Sequence, residues 1–209
     1  MSNDLRQRLR ALLAGPLPGE AAHRDAWPLE LPARRLEDPE PLRAAAVLLA
    51  IVESEGGFRV PLIERPTSMP HHAGQIGLPG GRLCDGESPR ACALRESQEE
   101  IGLEPDGVEI LGALTPVPIP VSGFRVEVFV GWVDRPPRWR IDAREVQRIL
   151  EADLDALARD GINARLERRM VDGTVREVPA YRTNGVLVWG ATALMLSEML
   201  QIWRRLRSD

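Results

Sequence analysis

Gly81-Arg-Leu-Cys-Asp-Gly-Glu87-Ser-Pro-Arg-Ala-Cys-Ala-Leu-Arg95-Glu96-Ser-Gln-Glu99-Glu100-Ile-Gly102-Leu103 is the stretch from which the rest of the chain is read. Ser88 offers an oxygen to cap free backbone N–H groups, Pro89 suits the first helical position, and Gly102 supplies a stop, so a helix is predicted between them. Within it Glu96, Glu99 and Glu100 are three and four residues apart and project from one face. Three carboxylates so placed repel unless a positive charge lies among them. An acidic helix is most often a solvated face, here paired with Arg90 and Arg95. The competing reading is a site for a hard divalent cation, since carboxylate oxygens suit Mg²⁺ or Mn²⁺ and the ion removes the repulsion.

The whole pattern separates these readings. The stretch resembles the Nudix box, Gly-x5-Glu-x7-Arg-Glu-U-x-Glu-Glu-x-Gly-U with U aliphatic, at all seven fixed positions. At about 7% per position, chance agreement is on the order of one in 10⁸. Only the first U departs, being Ser97, which bears on packing behind the helix more than on chemistry. Leu103 fits the second. The resemblance implies an α/β fold, the Nudix α/β/α sandwich with a mixed β-sheet and a loop-helix-loop catalytic motif. It implies Glu96 and Glu100 as principal ligands of Mg²⁺ or Mn²⁺ with Glu99 contributing, Arg95 as the group that holds and orients glutamates, and Glu87 as support.

At 209 residues with no repeat, the chain is read as a helix and arm over 1–42 followed by one globular domain over 43–209. A formal charge of −4 gives no reason to expect nucleic acid or anionic membrane as partner. There is no lysine, so no Schiff-base nucleophile, whereas arginine's planar fork is available to phosphate. The apolar runs Ala44 to Val52 and Val186 to Leu196 fall short of the roughly 20 residues that span a bilayer. The N-terminus lacks the apolar core and cleavage site of a secretory signal, so a cytoplasmic location is the default. Cys84 and Cys92 fit a reducing compartment, and neither is given a redox or metal role.

Leu5, Leu9, Leu12 and Leu13 predict a short amphipathic helix over residues 3–13. Pro16 to Pro41 reads as an extended arm anchored by Trp27, Leu29 and Leu31. Arg43 to Val52 and Phe58 to Arg65 form a predicted hairpin, and Val108 to Thr115 and Phe124 to Val133 are further strands. The Pro116 to Gly123 loop between the latter two, with three prolines, is expected to avoid regular pairing and to border the site. Val146, Ile149, Leu150, Leu154 and Leu157 follow helical spacing, but the family resemblance favours a short strand before a helix in 145–160. Asp172-Gly173 signals a hairpin between Ala164 to Val171 and Thr174 to Tyr181. Val186 to Trp189 is one more strand. A closing helix over Ala191 to Leu206 presents Leu194, Met195, Met199, Ile202, Trp203 and Leu206, either to the core or to a second subunit of a homodimer.

Attack on a diphosphate suits the acidic cluster, because the linkage is shielded by its own charge and water needs a metal to neutralise oxygens and lower its pKa. Gly80 and Gly81 let backbone groups approach metal and phosphate closely, a role compatible with a plain tight turn. Three residues are candidates for the general base: Glu99, Glu145 in Asp142-Ala-Arg-Glu145-Val146, and Glu127 in a strand. Glu145 is slightly favoured because it resembles an acidic signature of one Nudix branch; a surface salt bridge is the commoner role for such a residue.

Upstream, Leu62 to Gly81 is similar to the signature of the coenzyme A pyrophosphatase branch, agreeing at Arg65, Gly74, Pro79, Gly80 and Gly81 and departing at Ile63, Pro66, Pro70 and Leu78. Val188-Trp189-Gly190-Ala191-Thr192-Ala193 also resembles that branch. The resemblance implies hydrolysis of coenzyme A or acyl-coenzyme A to adenosine 3′,5′-bisphosphate and a 4′-phosphopantetheine, with Arg65, His72, Gly74, Gly80 and Gly81 at the substrate. Pro70 replaces a phosphate-binding arginine, a loss that Arg65, His71 or His72 would have to offset. The alternatives are a Nudix pyrophosphatase for ADP-ribose or NADH, and a nucleotide-sensing module without catalysis.

Overall fold

The computed structural model describes residues 2–26, 42–68, 73–120, 122–169 and 173–208. In chain order these form α1 (Ser2–Ala14), α2 (Glu20–His23), β1 (Arg43–Ser54), β2 (Gly57–Glu64), β3 (Ile76–Gly77), β4 (Gly80–Arg82), α3 (Pro89–Ile101), β5 (Glu109–Ala113), β6 (Val117–Ile119), β7 (Phe124–Val133), β8 (Arg148–Asp153), α4 (Leu154–Asp160), β9 (Ala164–Arg169), β10 (Val175–Thr183), β11 (Val186–Trp189) and α5 (Gly190–Ser208).

β1 organises the molecule. Its near-continuous apolar run marks a strand covered on both faces. Leu49 and Ile51 enter one hydrophobic cluster, with α1, α4 and α5, while Leu48, Ala50 and Val52 enter the other, with α3. The alternation is the two-residue period of a strand. Each of the fully buried Leu48, Leu49 and Ile51 contributes roughly 2 kcal/mol of hydrophobic stabilisation. β7 lies parallel to β1 from Arg43↔Phe124 to Val52↔Val133, and β2 and β4 flank the other edge antiparallel. β3 and β8 pair with β2, and β5 and β6 with β7, to give an eight-stranded mixed sheet. Gly131 of β7 lets the layers close, since a Cβ there would stand 2.7 Å from Val108 Cγ1. The helices on both faces make this an α/β/α sandwich. A separate antiparallel sheet has the order β11-β10-β9.

The segment over 145–160 is a strand followed by a helix, as the resemblance implied. Asp153 makes the transition by accepting a 2.8 Å hydrogen bond from the Ala156 N–H. Two expectations are corrected. Pro16 to Pro41 is not extended throughout, because α2 and a 3₁₀ turn over Arg24–Ala26 occupy its start, with Ala22 and Ala26 buried; Trp27, Leu29 and Leu31 lie outside the described residues. The Pro116 to Gly123 segment does pair: β6 joins β7 through Val117↔Val126, Pro118↔Arg125 and Ile119↔Phe124. An edge strand tolerates a missing N–H where an inner strand does not. Val117 faces the cluster shared with α5.

The apolar side of α5 is buried within this one chain: Met199 and Trp203 are fully covered, and Leu194, Met195, Ile202 and Leu206 nearly so. Those residues are core, so they offer no surface to a second subunit. Leu9 and Leu13 of α1 join the same cluster. No helix among the described residues is long and apolar enough to cross a membrane.

Candidate active site

α3 begins and ends where its sequence directs. Ser88 Oγ accepts the Ala91 N–H at 3.2 Å, Pro89 opens the first turn, and Gly102 at φ 71° closes the last with its N–H on Gln98 O at 2.9 Å. Ser97, the departure from the box, is fully buried and donates back to Ala93 O at 2.7 Å, which satisfies its hydroxyl without a partner outside the helix.

Arg95 is the hub of the acidic cluster. Its Nε and Nη2 bind the two oxygens of Glu87 at 2.8 and 3.0 Å, and its Nη1 reaches Glu96 Oε1 and Glu99 Oε2, both at 2.9 Å. Glu87 also accepts the Cys84 N–H at 2.9 Å, so it ties the loop before α3 to the helix. These hydrogen bonds, Arg95 foremost, bring the Glu87 carboxyl down to about 2. Cys92 lies beneath, with its Sγ 3.5 Å from Gly81 O, and burial pushes its thiol up to about 11. Neither cysteine is in a disulfide.

The three helical carboxylates do not share one environment. Glu100 points inward and is 1% exposed. Its Oε2 accepts the Gly80 N–H at 2.9 Å; its Oε1 has no hydrogen-bond donor and lies 3.6 Å from Arg65 Nη2. Burial raises the Glu100 carboxyl to about 7, opposed by Arg65 and the Gly80 N–H and reinforced by Glu96 and Glu145. Burial raises Glu96 as well, with Arg95 opposing. Glu99 turns outward to Arg95, its side chain 60% exposed.

The third member of the inner group comes from elsewhere. The connection after β7 docks on the end of α3 through Arg140 N–H to Ile101 O at 3.0 Å and Asp142 N–H to Glu100 O at 3.1 Å. A turn follows, closed by Val146 N–H on Asp142 O at 2.8 Å, and the buried Val146 anchors it. Glu145 is thereby carried to the site, where it, Glu96 and Glu100 each offer an oxygen, all within 4.8 Å of one another.

Two glycines make room for this packing. At Gly81 a Cβ would stand 2.4 Å from Glu96 Oε1, and at Gly80, with φ 153°, a Cβ would stand 2.3 Å from Ala46 O. Gly74 has φ 65° and closes a turn by donating to Arg65 O at 3.1 Å. Glu127 is not in the carboxylate group and faces Arg125 at 3.7 Å. His71, His72 and Pro70 lie outside the described residues.

The family model for the NUDIX domain matches residues 41–165. The chain belongs to the Nudix family. Curated Nudix relatives described as uncharacterized Nudix hydrolase NudL, from Salmonella paratyphi B and Salmonella newport, are each 35% identical over 164 residues, which is 77% of this chain and 83% of theirs. Among solved structures, a MutT/nudix family protein from Enterococcus faecalis superposes with a TM-score of 0.53 at 17% identity, over 86% of this chain and 66% of that one. The MutT protein of Methanosarcina mazei gives 0.52 at 16% identity, over 80% and 99%. These likenesses establish the Nudix fold.

Nudix hydrolases generally use divalent ions such as Mg²⁺ or Mn²⁺, and the residues here fit one. The donors are all carboxylate oxygens, which hard cations prefer, and Glu100 Oε1 is a buried oxygen without a donor. A cation would offset the burial, and the lesser repulsion between carboxylates, that raise Glu96 and Glu100.

Proposed function

We propose that this Nudix hydrolase cleaves the diphosphate linkage of coenzyme A or acyl-coenzyme A, giving adenosine 3′,5′-bisphosphate and a 4′-phosphopantetheine. The observation that carries the hydrolytic part is the convergence of Glu96, Glu100 and Glu145 within 4.8 Å. The coenzyme A part is supported by the likeness of Leu62 to Gly81 to that branch, and Arg65 of that segment reaches Glu100 at 3.6 Å.

In this reading Glu96 and Glu100 hold Mg²⁺ or Mn²⁺, with Glu99 contributing from the outer side. The ion, when bound, neutralises phosphate oxygens and lowers the pKa of water. Arg95 keeps Glu96 and Glu99 in place, and Glu87 fixes Arg95. Glu145, the exposed member of the carboxylate group, takes the proton from the attacking water as general base. Arg65, next to the carboxylates, offers its planar fork to the diphosphate. Gly80 and Gly81 present backbone to it, Gly74 shapes the loop that carries Arg65, and His72 adds a substrate contact.

Side-by-side turnover of coenzyme A, ADP-ribose and NADH by the purified protein, with products identified, tests the substrate. Coenzyme A is expected to give the highest kcat/KM; a clear preference for either of the others defeats it. No turnover of any of the three with Mg²⁺ or Mn²⁺ would favour a nucleotide-sensing module. Glu145→Gln is expected to lower kcat by about 10²-fold or more with KM little changed.

A further inference from the structure

We infer that Arg168, stacked on Trp189, receives a phosphomonoester of the substrate at a subsite separate from the carboxylates. The inference rests on the diphosphate-hydrolase reading and names a second chemical group that the substrate must carry. The sheet β11-β10-β9 bears Arg165, Arg168, Arg169, Arg176 and Arg182 against Glu167 and Glu177, in a chain whose formal charge is −4. The strand register places Arg168 directly opposite Arg176, Ala164 opposite Ala180, and Ala180 opposite Trp189. Arg168, Arg176 and Trp189 therefore share one face. The other face belongs to Tyr181, whose hydroxyl is 2.8 Å from Ser197 Oγ of α5.

The Arg168 Cζ lies 4.3 Å from the centre of the Trp189 ring. Among the described residues no carboxylate is paired with Arg168, which is exposed. Stacking on an indole holds a guanidinium flat while leaving its fork of N–H donors open at the edge, an arrangement suited to a tetrahedral dianion. Arg176 lies directly across the strand pair from Arg168, its Nε donating to Thr174 Oγ1 at 3.1 Å.

The subsite is connected to the reaction centre. β11 runs beside β3, and Thr192, three residues after Trp189, donates through its Oγ1 to Ile76 O at 3.0 Å. β3 leads through Leu78 and Pro79 to Gly80, whose N–H binds Glu100. The proposal therefore sets the ribose phosphate of a ligand whose diphosphate meets the carboxylates against the sheet that carries Arg168 and Trp189. That chemistry describes a nucleotide with a phosphomonoester beyond its diphosphate, and it separates coenzyme A from dephospho-coenzyme A, ADP-ribose and NADH.

The test measures KM and kcat for coenzyme A against dephospho-coenzyme A, and calorimetric affinity for adenosine 3′,5′-bisphosphate against AMP. Wild type is expected to favour the phosphorylated member of each pair, and Arg168→Ala to shrink that preference about tenfold or more, through KM and not kcat. Trp189→Ala should shrink it too, and Arg168→Lys should restore part of it. Arg165→Ala, on the opposite face of the same strand, should leave it intact. Equal loss for both members of a pair, or no preference in wild type, overturns the subsite. Turnover of coenzyme A and dephospho-coenzyme A with equal efficiency would sink this inference and spare the diphosphatase. A calorimetric preference lost in Arg168→Ala, with no turnover of coenzyme A, would uphold the subsite and sink the substrate.

Discussion

Glu100 of α3 and Glu198 of α5 are both buried carboxylates on helices that cover opposite faces of the large sheet, at 1% and 0% exposure. Their shells differ. Glu198 accepts the Gly19 N–H at 2.9 Å and the Thr115 hydroxyl at 2.8 Å on Oε1, and the Thr115 N–H at 3.1 Å on Oε2. His23 Nε2 lies 3.4 Å from Oε2, an electrostatic contact that lacks hydrogen-bond alignment. Burial alone would raise the Glu198 carboxyl, but His23, Thr115 and the Gly19 N–H outweigh it and hold the group below the ordinary range. Glu100 has one backbone donor, an oxygen with none, and other carboxylates nearby, and its carboxyl rises to about 7. A buried charge that the chain satisfies is a structural clasp, here joining α2, α5 and the end of β5. One left unsatisfied has a coordination position open to something else.

Four measurements would sharpen or break this contrast. The largest effect is expected from Glu100→Gln, which should lower metal-dependent kcat by on the order of 10³-fold while circular dichroism shows a folded protein. Near-normal turnover would remove Glu100 from the metal site. Glu198→Ala should do the opposite, destabilising the chain by about 3 to 5 kcal/mol in urea while the folded fraction keeps its kcat, because it strands three donors and His23. A loss below about 1 kcal/mol would show that the clasp is dispensable.

The third measurement is pH dependence without metal. Glu100 rises from 4.5 to about 7, so between those values the folded chain holds a proton that the unfolded chain has released. Its contribution, about 3 kcal/mol, is fully present below 4.5 and lost as pH rises through 7. Glu198 runs the other way, with stability present above 4.5 and lost as pH falls through its lowered pKa. Urea midpoints across pH should therefore show a neutral-side decline that Mg²⁺ or Mn²⁺ reverses and Glu100→Gln abolishes; a flat profile from 5 to 8 in the metal-free protein would contradict the burial argument. The smallest effect is expected from Thr115→Val, which removes one of the hydroxyl and amide donors of Glu198 and should cost about 1.5 kcal/mol. A cost equal to that of Glu198→Ala would mean that the hydroxyl alone carries the clasp.

Much of the architecture was legible because it is local. The doubly apolar run of β1, the glycine-containing turn into β2, and the caps of α3 each follow from neighbouring residues. β6 was not, because three prolines speak against pairing and only its place at an edge of β7 makes pairing acceptable. Val146 to Leu157 mimics a helix because β8 is covered on both sides, with Ile149 facing one cluster and Leu150 the other, so adjacent residues are both apolar. The His23–Glu198 clasp joins the two ends of the chain, and no spacing rule reaches that far.

The sequence by itself determined the acidic helix, its limits and the pattern that places the chain in the Nudix family, since these depend on residues within a few turns of one another. Only the tertiary structure decided how those carboxylates divide: Glu99 outward with Arg95, Glu96 and Glu100 inward, and Glu145 brought in by a turn docked on the end of α3. The physical reason is burial. Helical spacing sets where a carboxylate points, but the packing of Gly80, Gly81 and the sheet beneath sets what it costs to keep it charged, and so which oxygens remain open to a cation.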